Sequence, residues 1–220
     1  MKVINLSAQS SIVNEYLREL RDVHIQSDRM RFRRNLARVA QAMGYEMSKT
    51  LTYQPQPVET PLETTTMSCL KDEVVLATIL RAGIPFFEGF LECFDKADCA
   101  FLSAKRVYTD EAHTQVKIEC GYKATPALDG KTLIIVDPML ATGGSMCAGL
   151  DLLLENGTPK RIIVAGLIAV PEAVKTLEEW EKNGTELVLY TAAMDERLNE
   201  HQYILPGLGD AGDLCFGEKC

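Results

Sequence analysis

Short apolar and amphipathic segments alternate between residues 132 and 192, and that alternation leaves few folds open. Residues 132–136 read as a strand, 149–155 as a helix closed by Asn156-Gly157, and 161–169 as a strand. A helix over 172–183 and a strand over 186–192 follow. Strand, helix, strand, helix, strand requires parallel pairing with crossover helices. The predicted class is α/β: a doubly wound, mainly parallel sheet flanked by helices.

The rest of the chain adds to this frame. Ile12, Tyr16, Leu17 and Leu20, then Phe32, Leu36, Val39, Ala40 and Met43, fall at helical spacing between Ser7 and Lys49, with Gly44 interrupting or weakening the second helix. Pro55, Pro57 and Pro61 make residues 51–66 an extended connection or an edge strand, because proline cannot donate to a central ladder. Residues 74–80 form a continuous apolar run of buried-strand length, ended by Arg81-Ala82-Gly83 and followed by a helix over 86–94. A strand over 99–104 leads into residues 105–125, polar with loose alternation at Val116, Ile118, Cys120 and Tyr122, as in an exposed hairpin. The 220 residues read as a single domain, with 1–70 a helical and extended N-terminal part and 71–220 the core.

Composition removes several function classes. A net charge of −8 opposes phosphate-driven nucleic-acid binding, although Arg29, Arg31, Arg33, Arg34 and Arg38 form a local basic patch. That patch reads as a solvated face or a subunit contact, with an effector site as a third reading. The seven cysteines form no CxxC pair and no regular spacing, so neither zinc nor a disulfide framework is indicated; reduced, mostly buried thiols are expected. No apolar run reaches the roughly 18 residues of a membrane span, and the first residues lack the apolar core of a secretory signal. A cytoplasmic protein is expected.

Ligands of open parallel sheets bind beyond the carboxyl ends of the strands. At one such end stand Asp137, Pro138, Met139, Leu140, Ala141, Thr142, Gly143, Gly144 and Ser145. Small residues there let main-chain N–H groups face a phosphate at a helix N-terminus opening near Met146, with Asp137 beside sugar hydroxyls or a metal. A glycine turn capped by Ser145 or Thr142 is the plainer reading. Arg81, directly after an apolar run, needs an anion or a structural carboxylate partner. Residues 203–213, with Pro206, Gly207, Gly209 and Gly212, are too irregular for a regular element, so their free backbone groups can read the edge of a planar heterocycle.

Taken together, Ile79-Leu80-Arg81-Ala82-Gly83, the run from Val136 to Ser145, Asn199-Glu200-His201, the run from Tyr203 to Asp213 and Phe216-Gly217 resemble the uracil phosphoribosyltransferases, of the type I phosphoribosyltransferase superfamily. The similarity runs from about Leu70 to Lys219. The resemblance implies that Asp137 to Ser145 hold the ribose hydroxyls and 5′-phosphate of phosphoribosyl pyrophosphate, and that Arg81 contacts its pyrophosphate. It implies uracil binding by Ile204, Gly209, Asp210 and Ala211, with Asp210 also facing phosphoribosyl pyrophosphate or its Mg²⁺. A family arginine in the hairpin falls on Arg106, although here Val107-Tyr108-Thr109 separate it from Asp110 and Glu111 where the family has acidic residues close behind. It also implies UMP synthesis in pyrimidine salvage, a homodimer or larger homo-oligomer, and GTP as an effector to consider; the polar hairpin over 105–125 is expected to close as a lid, with an exposed hairpin without motion as the plainer reading. His24 and His113 are expected at the surface, and a structural hydrogen bond is expected for His201. Two competing readings are a transferase for another base and a non-catalytic nucleotide or RNA binder.

Overall fold

The computed structural model describes residues 1–108, 116–181 and 185–218, with backbone alone over 104–108 and 116–120. The chain opens with β1 (Lys2–Asn5), α1 (Ile12–Arg21) and α2 (Arg29–Ser48), then a hairpin of β2 (Tyr53–Glu59) and β3 (Thr64–Leu70). Next come β4 (Val74–Leu80), α3 (Ile84–Cys93), β5 (Asp98–Tyr108) and β6 (Val116–Ala124). β7 (Thr132–Leu140), α4 (Gly144–Leu154), β8 (Arg161–Ala169), α5 (Pro171–Trp180) and β9 (Glu186–Met194) follow. The short strands β10 (Arg197–Leu198) and β11 (Ile204–Leu205) precede α6 (Ala211–Phe216).

Among the described residues the main sheet has seven strands in the order β1-β9-β8-β7-β4-β5-β6. All neighbours are parallel except β6 against β5, which is the doubly wound arrangement expected. Leu76, Ile134, Ile135, Ile163 and Val164 are buried, since helices cover both faces; that is why these strands read as continuous apolar runs. From β4 the chain winds through α3 to β5, and from β7 through α4 to β8 in the opposite direction. Winding therefore reverses between the neighbours β4 and β7, in register at Thr78 and Val136. The crevice beyond such a reversal is where open α/β sheets hold ligands. There the buried Thr78 hydroxyl donates to the Val136 carbonyl at 3.3 Å, tying the two strand ends together.

Several local expectations are corrected. Ile12 is 60% exposed, and the buried stripe of α1 is Val13, Leu17 and Leu20. Gly44 does not break α2; a Cβ there would meet Cys93 Sγ at 3.1 Å, so the glycine serves the α2–α3 contact. Of the two readings of residues 51–66 the edge strand holds: β2 pairs on one side only, with β3, in a hairpin separate from the main sheet. Of the described cysteine side chains, Cys147 and Cys215 are buried while Cys69, Cys93 and Cys99 are not. Burial pushes the Cys215 thiol up to about 12, which makes it inert.

The basic residues of α2 are largely spent on the fold. Arg31 Nε donates to Glu19 at 2.8 Å, Arg33 to the Cys215 carbonyl at 2.7 Å, and Arg38 lies over the Tyr16 ring at 5.4 Å. Hydrogen bonds from Arg31 and Asn35 hold the Glu19 carboxyl down at about 2.

The crossing of α2 and α3 is closest at Gly89. A Cβ there would stand 2.2 Å from the Ala37 carbonyl oxygen and 2.7 Å from Ala40 Cβ. Gly89→Ala should push the helices apart at a cost of about 1–3 kcal/mol. A melting curve should therefore fall by roughly 2–10 °C; an unchanged midpoint would mean that the crossing is looser than described.

Candidate active site

The segment from Asp137 to Ser145 differs from the loop expected for it. β7 runs on through Leu140, with Asp137 opposite Gly166 and Met139 opposite Ile168, and α4 starts at Gly144. Pro138 is tolerated because β4 has already ended its pairing at Val136, leaving that side of β7 without a ladder to donate to. Asp137 is half-buried at the crevice, and one carboxylate oxygen accepts the Met139 N–H at 3.0 Å. The turn proper is short: Ala141, Thr142 and Gly143.

Gly143 has φ +80°, the left-handed region open to glycine, and a Cβ would also press Thr176 at 3.0 Å. That conformation turns the chain into α4, whose first-turn N–H groups lack intrahelical acceptors and carry partial positive charge. No acidic residue stands in this first turn. The Thr142 hydroxyl accepts the Gly144 N–H at 3.4 Å from the residue before the cap, and the cap position itself, Gly143, has no side-chain cap, so the expected Ser145 or Thr142 cap is not formed.

Arg81 follows β4 across the crevice, joined to Leu80 by a cis peptide. Its Nη2 lies 3.0 Å from Asp213 Oδ1 and 3.4 Å from the Gly217 carbonyl. The carboxylate alternative thus holds in this structure, yet Arg81 Nε is buried without an acceptor among the described residues. Its side chain is 39% exposed, so the guanidinium is reachable from the crevice.

Residues 203–213 carry more regular structure than expected. β11 pairs with β10, and α6 begins at Ala211 with Asp210 as its cap, accepting the Asp213 N–H at 3.0 Å. Ile204 and Ala211 are buried, whereas Gly209 is exposed and has φ +96°. A Cβ on Gly212 would meet Asp210 Oδ1 at 3.1 Å and Arg81 Nη2 at 3.7 Å, so the Arg81 turn and this segment face each other directly.

Two residues distant in sequence hold the middle of the segment. Arg21, the last residue of α1, sets both Nη atoms on Asp195 at 2.8 and 2.7 Å. Asp195 also accepts the Gly207 N–H at 2.8 Å, and Arg21 also donates to the Gly207 carbonyl at 2.9 Å.

The model of the uracil phosphoribosyltransferase family matches residues 7–218. A uracil phosphoribosyltransferase of Porphyromonas gingivalis is 49% identical over 219 residues, covering 100% of both chains. One from Pyrococcus furiosus is 40% identical, over 95% of this chain and 88% of that protein. This chain belongs to the uracil phosphoribosyltransferase family. The solved structure of a protein from Aquifex aeolicus, 31% identical, superposes with a TM-score of 0.85 over 98% of each chain. The family match begins at residue 7, so it takes in the N-terminal helices, which lie outside the span from about Leu70 to Lys219 that carries the motif resemblance.

For a member of the uracil phosphoribosyltransferase family, the structure brings Arg81, Asp210 and the strand end bearing Asp137 to one crevice. Arg106 lies on β5 with its backbone opposite Ile118, but its side chain and those around it lie outside the described residues, as does His113. His24 is exposed, and His201 is 75% exposed beside Glu200 at 3.5 Å instead of in a structural hydrogen bond to the fold. Three residues of the site escaped sequence reasoning: Asp213, Asp195 and Arg21. Asp213 stood within the motif that drew attention to Asp210; the other two carry no local signal.

Proposed function

We propose that the chain transfers the phosphoribosyl group of phosphoribosyl pyrophosphate to uracil, giving UMP and pyrophosphate in pyrimidine salvage. The observation that carries this reading is the meeting of three segments at the β4–β7 reversal: the Arg81 turn, the Asp137–Ser145 turn and the segment beginning at Ile204. The bond from C1′ to uracil N1 forms as the bond from C1′ to the diphosphate oxygen breaks, and the N1 proton leaves to solvent.

In this reading Ala141, Thr142, Gly143, Gly144 and Ser145 cradle the 5′-phosphate through main-chain N–H groups, and Asp137 holds ribose hydroxyls. Met139 and Leu140 carry the strand to that turn. Arg81 stabilises the diphosphate as charge builds on it, through the exposed part of its side chain. Asp137 and Asp210 offset the positive charge that develops on the ribose. The backbone of Ile204, Gly209, Asp210 and Ala211 reads uracil, and orientation of the two substrates supplies much of the rate.

Among the described residues no three His, Cys, Asp or Glu side chains converge on a common point. Asp137 and Asp210, hard oxygen donors at this crevice, are the carboxylates that would neighbour a Mg²⁺ carried in on the diphosphate. When bound, Mg²⁺ would supply further charge neutralisation of the leaving group. The reading carries with it Arg106 as a second diphosphate ligand from a closing hairpin, a cytoplasmic location and GTP as an effector. It also carries a homodimer or larger assembly, favoured by Val58, Leu62 and Met67 exposed on the β2–β3 hairpin. No helix of the described residues is long and apolar enough to cross a membrane.

Purified protein supplied with Mg²⁺, uracil and phosphoribosyl pyrophosphate should form UMP, and should not accept hypoxanthine, adenine or orotate comparably. Asp137→Asn keeps the shape and removes the charge, so kcat/KM should fall about 10- to 100-fold. An unchanged rate in that variant, or preference for another base, would remove the assignment.

A further inference from the structure

The Arg21–Asp195 pair does more than join α1 to the sheet. Asp195 sits at the carboxyl end of β9, its N–H donating to the Ala169 carbonyl at 2.8 Å, and its side chain is only 6% exposed. Arg21 grips it with two parallel hydrogen bonds, the geometry that a guanidinium fork makes and an ammonium does not. Both partners also bond one further residue: the Gly207 N–H donates to Asp195, and Arg21 donates to the Gly207 carbonyl.

Gly207 is the only residue that its place tolerates. Its φ is +60°, and a Cβ would lie 2.2 Å from the Ile204 carbonyl oxygen. Both of its hydrogen-bonding groups are held by charged side chains anchored elsewhere, one on a strand end and one on a helix. Pro206 and Gly209 on either side are exposed, while Ile204 and Leu208 are buried. Gly207 therefore pins the turn between Ile204 and the Gly209-Asp210-Ala211 backbone, and these are the two halves of the proposed uracil contact.

We propose that Arg21 and Asp195 are positioning residues for the base: they fix the spacing and orientation of the uracil-reading backbone without touching substrate. This rests on the reading of residues 204–211 as the uracil site. It assigns the N-terminal helix α1 a part in base recognition. A buried ion pair adds little to stability compared with an apolar pair of the same shape, whereas its fixed directions specify one backbone arrangement.

The test uses Arg21→Lys and Asp195→Asn in the full chain, with Arg21→Met as the severe variant. Kinetics are measured with uracil varied at saturating phosphoribosyl pyrophosphate, and then the reverse. KM for uracil should rise about tenfold or more in Asp195→Asn and somewhat less in Arg21→Lys, while KM for phosphoribosyl pyrophosphate stays within about twofold. Amide hydrogen exchange of residues 204–211 should quicken in both variants without ligand. A uracil KM within twofold of the parent, or both KM values rising together as in general loosening, would overturn the pairing role. Arg21→Met can fail to fold, and the two conservative variants then decide. Exchange in the parent protein separates this inference from the reading beneath it. If UMP protects residues 204–211 and the variants behave as the parent, only the positioning role falls. If UMP gives those amides no protection, the uracil site is elsewhere and the inference falls with it.

Discussion

Arg81→Ala should lower kcat for UMP formation about 10²- to 10³-fold, the usual loss on removing one charged donor from a site of developing negative charge. Asp213 takes one Nη and the Gly217 carbonyl lies near it, so the arginine is fixed against the C-terminal helix before any substrate arrives. Its Nε is buried without an acceptor among the described residues, which costs stability, while 39% of the side chain is exposed and open to an anion. The Arg81–Asp213 pair is 39% and 32% exposed, which limits its worth to about 0–1 kcal/mol. The variant should therefore melt within a few degrees of the parent while losing most of its rate. Arg81→Lys should recover only part, because an ammonium keeps the charge and loses the fork. A kcat within threefold of the parent would exclude Arg81 from the chemistry.

Gly83→Ala should damage fold and activity together. The φ of Gly83 is −67°, available to any residue, so the demand for glycine is steric alone. A Cβ would stand 2.0 Å from Thr78 Oγ1 and 2.7 Å from the Ile79 carbonyl oxygen. The hydroxyl is the one that bridges β4 to β7 beside Asp137. Relieving the clash must shift either that bridge or the turn bearing Arg81, at a cost of about 1–3 kcal/mol. Because both phosphate-facing elements share this joint, kcat/KM should fall at least tenfold beyond any loss of folded protein. Thr78→Ala combined with Gly83→Ala removes the side-chain half of the clash and leaves the carbonyl half, so partial rescue is expected. Full activity in Gly83→Ala alone would contradict the packing described.

The fold was legible where local pattern and burial agree. The β4, β7, β8 and β9 runs are apolar because helices cover both faces, and the same pattern located the two strand ends that meet at the crevice. Missed features depended on distant partners. β1 is four half-exposed residues that become a strand only by pairing with β9. Gly44 looks like a helix breaker until α3 supplies Cys93 against it. Pro55 and Pro57 forbade a central strand but not a hairpin whose outer edge stays unpaired.

The site followed the same division. Asp137, Arg81 and the glycine-rich turn announced themselves by residue type at a strand end. The extension of β7 through Pro138 did not, because it depends on where β4 stops pairing. Arg21 and Asp195 meet across 174 positions, a separation that no periodicity or motif can report.

The most direct measurement of the central claim is a crystal structure with UMP and pyrophosphate–Mg²⁺ bound. The 5′-phosphate should lie against the main-chain N–H groups of residues 141–145, the ribose at Asp137, pyrophosphate beside Arg81, and the uracil edge on the backbone of Ile204 and Gly209-Asp210-Ala211. A nucleotide phosphate seated instead in the cleft among Lys71, Lys131 and Lys160, at the opposite end of the strands, would contradict it.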